Sequence, residues 1–242
     1  MSINPFDNLT QDGLEDSDDF LGTGGPMESA VYDATIKMAY SGQSPKGAKF
    51  VAVHLDIDGR EHRETIYVTN RAGENFYTRD GKKVPLPGFT TANDLALLST
   101  GQALSNQDFE EKVIKLYDFN SRQEVPTKVP AITSMIGKSV KVGLLKVREN
   151  KNKLDEQTNQ YVPTEEERVF NSIDKVFHAE SGKTVSEFTA KMDEASFLPK
   201  WSDKWTGQLR DKYKKVEGGS SGTGMPGASS GGTKTTSLFD GN

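Results

Sequence analysis

Lys49-Phe-Val-Ala-Val-His-Leu-Asp-Ile-Asp-Gly-Arg-Glu-His-Arg-Glu-Thr-Ile-Tyr-Val68 is the stretch that decides the fold. Within 48–57, Val51, Val53, Leu55 and Ile57 fall on one side and Phe50, His54 and Asp56 on the other. That period-two alternation is the pattern of a strand with one dry face and one wet face. Asp58-Gly59 then marks a tight hairpin turn, because both residues tolerate the positive φ such a turn needs. On the returning strand Ile66 and Val68 continue the dry face, with Arg63, Thr65, Tyr67 and Thr69 opposite.

Upstream, Ala30, Tyr32, Ala34, Ile36, Met38 and Tyr40 alternate with Asp33, Thr35 and Lys37, which predicts a strand over 30–40. A Gly/Pro-rich break at 42–47 separates it from the hairpin. Downstream, an aromatic and basic loop from Arg71 to Lys83 contains a second Asp-Gly turn, Asp80-Gly81. Thr91 is the expected N-cap of a short helix through Leu98, closed by Gly101. Strand patterns follow at 111–119 and 138–148. The sum is mainly β: five strands, with a short helix between the third and fourth. That is the order of an OB-fold five-stranded Greek-key barrel, whose second and third strands commonly present a binding face. An SH3-like barrel or a small sandwich shares many of these features and stays open on pattern alone.

The rest of the chain divides simply. Residues 1–27 are acidic and glycine-containing without periodicity and read as a disordered segment; 28–216 read as the folded body. Residues 217–242 read as a flexible Gly/Ser-rich tail with a Leu238-Phe239-Asp240 tip. Within the body, 149–167 is a polar excursion and 173–177 is strand-like. Residues 184–215, with Trp201 and Trp205, read as a small helical or irregular extension that packs on the barrel.

Charge is distributed unevenly along the chain. The net charge is −5, but residues 1–27 alone hold six acidic side chains and no Lys or Arg, while 28–216 hold 29 basic against 27 acidic. The body is slightly basic and the acid sits in a terminal segment, a pattern of interaction tails. The absence of cysteine removes disulfides and thiolate metal sites and suits a reducing compartment. His54 and His62, with Asp56 and Asp58 nearby, could hold a metal, but alternating polar positions on a half-exposed strand explain them without one. No cofactor is expected. Neither a signal-peptide pattern nor a run long enough to span a bilayer is present, so a soluble protein of the cytoplasm is expected. Phosphate-loop, G-x-S-x-G and H-E-x-x-H patterns are absent, and the paired carboxylates Asp56/Asp58 and Glu165–Glu167 fall where solvated charge is the simpler reading. The expectation is a protein without catalytic residues.

A binder of unpaired nucleic acid needs cations to replace counterions on the phosphates and flat side chains on which bases stack. The wet face of the second and third strands supplies Phe50, His54, Arg63 and Tyr67. The loop after it interleaves Arg71, Arg79, Lys82 and Lys83 with Phe76 and Tyr77. Lys37, Lys115 and Lys146 lie on strand faces and could line the same groove. For each ring the competing reading is packing against another part of the chain.

Four longer runs carry a more specific signal: His62-Arg-Glu-Thr-Ile-Tyr-Val-Thr-Asn-Arg-Ala-Gly-Glu-Asn-Phe-Tyr77, Pro85-Leu-Pro-Gly-Phe-Thr-Thr91, Glu110-Glu-Lys-Val-Ile-Lys-Leu-Tyr-Asp-Phe119 and Ile173-Asp-Lys-Val-Phe-His178. In this order they resemble single-stranded DNA-binding proteins of tailed bacteriophages, as does a Gly/Ser/Ala-rich tail ending in Ser237-Leu238-Phe239. The likeness spans about Glu28 to Lys215 and the tip. It implies an OB-fold core, binding of single-stranded DNA with little sequence preference, and a role in phage DNA replication, recombination and repair in the host cytoplasm. It also implies contacts with phage or host replication proteins through a terminal tail; a homo-oligomer is compatible with it. One departure matters. Such tails are usually strongly acidic, whereas here the acid lies at the N-terminus, so Asp16, Asp18, Asp19 and Phe20 join Leu238, Phe239 and Asp240 as the expected partner-binding residues. The alternative from another class is an OB or SH3-like protein-interaction module in phage assembly.

Overall fold

The computed structural model describes residues 25–118, 121–158 and 160–216. In chain order the elements are β1 (Ala30–Gln43), β2 (Lys49–Ile57), β3 (Arg60–Tyr67), β4 (Phe76–Arg79), β5 (Lys82–Pro85), α1 (Pro87–Thr100), β6 (Phe109–Asp118), β7 (Gln123–Ile132), β8 (Ser139–Asp155), β9 (Gln160–His178), α2 (Val185–Thr189), α3 (Phe197–Trp205) and β10 (Leu209–Asp211). The protein is mainly β. Strands β3, β2, β1, β8 and β9 lie side by side and antiparallel. β10 runs parallel to β8 beyond the end of β1, β7 joins β1 at Tyr40–Ala131, and β6 pairs with β7. β4 and β5 form a separate hairpin.

The turn between β2 and β3 is the expected one: Asp58 and Gly59 both take positive φ, 52° and 78°, and Asp56 accepts the Gly59 N–H at 2.9 Å. Its register sets the faces. Val51, Val53, Leu55 and Ile57 enter the interior with Ile36, Val140, Val142 and Leu144. On the opposite face Phe50 pairs with Tyr67 and His54 with Arg63. His62 instead lies opposite Leu55 on the inner side, so the two histidines point to different faces and do not converge on a metal.

β1 departs from simple alternation. Ile36 pairs with Leu55 and Met38 with His54, so Lys37 is an extra residue, a β-bulge. After it the faces exchange. Ala39 enters the main core, while Met38 and Tyr40, expected beside Ile36, turn to the outer face with Phe50, Ala52 and Val129.

Three further expectations are corrected. The helix starts at Pro87, not after Thr91, because proline at the first helical position presets φ and forgoes an N–H that would be unpaired there anyway. Gly88 also lets the helix approach β3: a Cβ there would stand 2.1 Å from the Tyr67 carbonyl oxygen. The 111–119 pattern is not a core strand but one arm of the β6–β7 hairpin. Its partner was hidden by Pro126 and Pro130, which argue against a central strand but are tolerated on a sparsely paired one. Residues 149–167 are no loop excursion, since β8 and β9 continue through them as a long ladder.

Among the described residues the sheet is not closed into a barrel by backbone hydrogen bonds. A side chain spans the seam instead. Glu64 of β3 accepts from the Ile173 N–H at 2.8 Å and the Ser172 hydroxyl at 3.0 Å on β9, and lies 3.1 Å from His62 Nε2. α1 covers the interior here, burying Ala92, Leu95, Ala96 and Leu98.

The C-terminal extension packs on the sheet as expected. Trp201 is buried with Leu145, Val147 and Phe177, and donates its indole N–H to Asp174 at 2.8 Å. Gly143 makes room for it, since a Cβ there would meet the indole at 2.9 Å. Buried Glu187 ties α2 to α3. It accepts from the Thr184 N–H at 2.8 Å, the Ser196 N–H at 2.7 Å and the Phe197 N–H at 2.8 Å. Burial alone would raise its pKa, but these donors overcome that and hold it at about 2, from an ordinary 4.5. A carboxylate with a depressed folded-state pKa stabilises the fold above its unfolded pKa and loses that contribution as pH falls. The Glu187 contribution, up to about 3 kcal/mol, is complete above pH 4.5 and disappears toward pH 2. Glu187→Gln is expected to lower the denaturant midpoint at pH 7 and to flatten the acid limb of the stability curve. An unchanged acid limb in urea titrations would contradict this account.

Candidate nucleic-acid interface

Cross-strand pairing brings the expected face together. Tyr67 is 51% exposed, and its ring meets Phe50 edge-to-face at 5.8 Å. Phe50 lies across Gly42, where a Cβ would stand 2.3 Å from the tip of its ring. Glycine at that position therefore lets an aromatic lie flat on the sheet. Arg63 is exposed and pairs with Glu61 at 2.8 Å. His54 is more buried than expected. Its ring meets Tyr40 edge-on at 5.9 Å, and burial, then the Arg63 charge, lower its pKa despite nearby Glu61. It lies across the strands from Arg63, with its Nδ1 3.4 Å from Glu61. Tyr40 itself has a raised pKa, chiefly from burial.

Beyond Phe50 the face opens into a groove of about 850 Å³ under the β6–β7 hairpin. Tyr40, Phe50, Phe89 and Phe109 line it, with Lys49 and Lys128 at its margin. Of these only Phe50 was anticipated. Tyr40 was assigned to the wrong face because the bulge was not foreseen, and Phe109 was left outside a strand that begins two residues earlier than expected. The one available signal for Lys49 was its place next to Phe50 at the start of the strand. Its ammonium has no carboxylate within ion-pairing distance among the described residues, whereas Lys128 pairs with Glu111 at 2.7 Å.

The loop after β3 is more ordered than a solvated excursion. Asn70 organises it, accepting from the Ala72 and Glu74 N–H groups, each at 2.9 Å. Arg71 is exposed, and its carbonyl oxygen lies against Gly47 of the loop between β1 and β2. The β4–β5 hairpin then presents Tyr77, Arg79, Lys82 and Lys83 to solvent. Phe76 is half-buried, with the Lys83 ammonium 4.3 Å from its ring centroid. Arg79 is 3.8 Å from Asp80 at full exposure, too loose to neutralise it.

Of three further expected cations, two are neutralised by carboxylates and one faces elsewhere. Lys37, on the bulge, pairs with Asp56 at 3.0 Å. Lys115 shares the outer side of the β6–β7 hairpin with Val113, away from Ile114 and Leu116, which face the groove cluster. Lys146 lies on β8 beside β10 and pairs with Glu28 at 2.6 Å. The terminal residues Asp16, Asp18, Asp19, Phe20, Leu238, Phe239 and Asp240 lie outside the described residues. No group of three or more metal-ligating side chains gathers among the described residues, and no helix there is long and apolar enough to cross a membrane.

The chain matches no known protein-family model and no curated protein sequence. The site is therefore read from its own geometry: the exposed Tyr67 and half-buried Phe50 on the sheet, a groove beyond them lined by further rings, and cations at the margin. Gly42→Ala is expected to tilt the Phe50 ring off the sheet while the fold persists, because only the far end of a side chain must move. Aromatic NMR shifts of Phe50 and Tyr67 should change while core methyl shifts do not; unchanged ring resonances would show that the contact is not tight.

Proposed function

We propose that this chain is a non-enzymatic binder of single-stranded DNA that holds the strand across the β2–β3 face and the adjoining groove. The observation that carries this reading is the Phe50–Tyr67 pair, continuous with the ring-lined groove, with unneutralised Lys49 on its wall and exposed Arg71 in the loop whose Gly73 and Asn75 also line it. A duplex hides its bases, so such rings select unpaired strands. They stack on any base, so the binding has little sequence preference.

Chain connectivity supports an OB-type barrel beneath the site. With the β4–β5 and β6–β7 hairpins as insertions, three meandering strands, a helix and two further strands follow in order, β8 returning to the free edge of β1 and β9 bridged to β3 by Glu64. The OB-fold is a partly open barrel, so a seam joined by a side chain is compatible with it. The β4–β5 hairpin would act as a clamp, with Tyr77 and Lys82 closing on the strand. A role in protecting unpaired strands during phage replication, recombination and repair in the host cytoplasm follows from such binding, with residues of the termini recruiting replication proteins. A protein-interaction module of phage assembly would share the apolar groove, but not a steep dependence on salt.

For oligo-dT, log K should fall linearly with log salt, with a slope of about −0.7 per phosphate contacted, and duplex of the same length should bind far more weakly. Tyr67→Ala should weaken binding about 5- to 150-fold, the loss of one stacked base. A salt-independent affinity, or equal affinity for duplex, would refute the reading.

The six acidic side chains within residues 1–27 are assigned a competing role. The described chain begins at Gly25, whose carbonyl accepts from Arg60, and Met27 is held by Asn171 at 2.7 Å. Twenty-four further residues span up to roughly 80 Å when extended, enough to reach the groove. Deletion of residues 1–26 should tighten oligo-dT binding several-fold at low salt. Unchanged affinity together with an unchanged salt slope would exclude the competition.

A further inference from the structure

We propose that the C-terminal extension carries a second nucleotide subsite, centred on Trp205, that receives the unpaired strand as it leaves Tyr67. The inference rests on the single-strand reading above and lengthens its path.

Two tryptophans one helical turn apart on α3 have different surroundings. Trp201 is 3% exposed and its indole N–H is spent on Asp174. Trp205, the last residue of the helix, packs on the same small core but is only partly covered. Its ring is flanked by cations: Lys204 Nζ is 5.0 Å and Arg210 Cζ 5.8 Å from the centroid. Beside it opens a depression of about 410 Å³, whose further lining includes Phe197, Lys175 and Lys200. Phe197 is 37% exposed, with Lys175 Nζ 5.8 Å from its ring.

The charge balance in this depression suits an anionic ligand. Asp174 is its one carboxylate, and that group is already bonded to the Trp201 indole and to Arg210 at 2.9 Å. Lys175 lies in the field of half-buried Asp94 on α1. Lys200 and Lys204 are exposed on α3, and neither has a carboxylate within ion-pairing distance among the described residues. Clustered cations repel one another, which disfavours the compact state unless an anion offsets them. Unpaired cations around a partly covered ring are the two elements a single-strand site combines.

Continuity with the first face fixes the ligand class. A second depression, of about 470 Å³, shares Asp174 and Arg210 with the first, and its wall includes Thr65, Tyr67 and Lys212. A path therefore runs from Phe50 to Tyr67, on to Arg210, and ends at Trp205. Along it a base would stack on Trp205 and the flanking phosphates would sit on Lys200 and Lys204.

The test compares oligo-dT of about 8 nucleotides with one of about 20, the short one within the site size of a single barrel. The variants are Lys200→Ala/Lys204→Ala, which touches only exposed side chains, and Trp205→Phe, which leaves Trp201 as a buried reporter. The 20-mer should quench tryptophan emission of the wild-type protein, and Trp205→Phe should abolish that quenching. The double lysine variant should bind the 20-mer several-fold more weakly, with a salt slope shallower by about 1.4, two single-strand phosphate contacts, and should bind the 8-mer unchanged. If Tyr67→Ala weakens the 20-mer while the lysine variant leaves affinity, slope and quenching unchanged, the Trp205 subsite is refuted and the groove reading stands. If the wild-type protein binds neither oligomer, both readings fall.

Discussion

One inserted residue, Lys37, governs how this protein uses its sheet. Without the bulge β1 would send Ala34, Ile36, Met38 and Tyr40 into one interior, and its other face would carry only Asp33, Thr35 and their like. With the bulge, one strand serves two clusters. Ala34, Ile36 and Ala39 line the main core, while Met38 and Tyr40 emerge on the opposite face under the β6–β7 hairpin. A bulge bends its strand and increases local twist. That twist is what lets the sheet curl toward β9 on one side while still presenting a platform of rings on the other.

The outer cluster explains how Phe50 is held in place as the support of the exposed Tyr67 ring. Tyr40, Ala52 and Val129 are buried beneath them, so the aromatic pair stands on a packed floor. Gly42 removes the side chain that would lift Phe50 away, and Tyr67 is held in turn because its backbone carbonyl abuts Gly88 at the start of α1. Helix, sheet and ring are thus coupled through two glycines. On the inner side, Glu64 and His62 occupy positions where the alternation calls for apolar residues. Both sit at the seam with β9, where backbone groups of a neighbouring strand need partners. A carboxylate there does the work of a missing ladder.

Local chemistry determined what could be read in the sequence. The β2–β3 hairpin, with its turn, register and outward residues Arg63 and Tyr67, follows from period-two patterning and the tolerance of Asp58 and Gly59 for positive φ, both encoded within a few residues. The end of α1 at Gly101 follows from the left-handed φ of 78° that glycine supplies. The bulge left only a faint mark, because Ala34-Thr-Ile-Lys-Met38 alternates cleanly and the one irregularity after it is the small apolar Ala39, which either face accepts. The long β8–β9 ladder was illegible for a different reason. Arg148–Glu167, Arg168–Glu149 and Lys151–Glu166 hold it together across the strands, so a stretch stabilised by cross-strand charge looked like a solvated loop. The pairing of Lys37 and Lys146 and the face of Lys115 were not legible, because a sequence shows a cation but not the carboxylate opposite it or the face it occupies.

That last point bears on how a chain of net charge −5 could hold a polyanion. At physiological ionic strength, fields between exposed charges fade over about 8 Å, so the total matters less than which cations remain unneutralised where phosphates would pass. Lys37, Arg63, Lys128 and Lys146 are each within 3.0 Å of a carboxylate and offer a phosphate little that the protein does not already supply. Lys49 and Arg71, at the groove, and Lys200 and Lys204, on the extension, have no such partner among the described residues. Counterions gather at cations of this second kind, and their release drives association with a phosphate chain. Net acidity and affinity for nucleic acid are therefore compatible in one chain. The excess of acid lies in a terminal segment, many of the remaining carboxylates are paired with cations, and the unneutralised cations stand beside the rings.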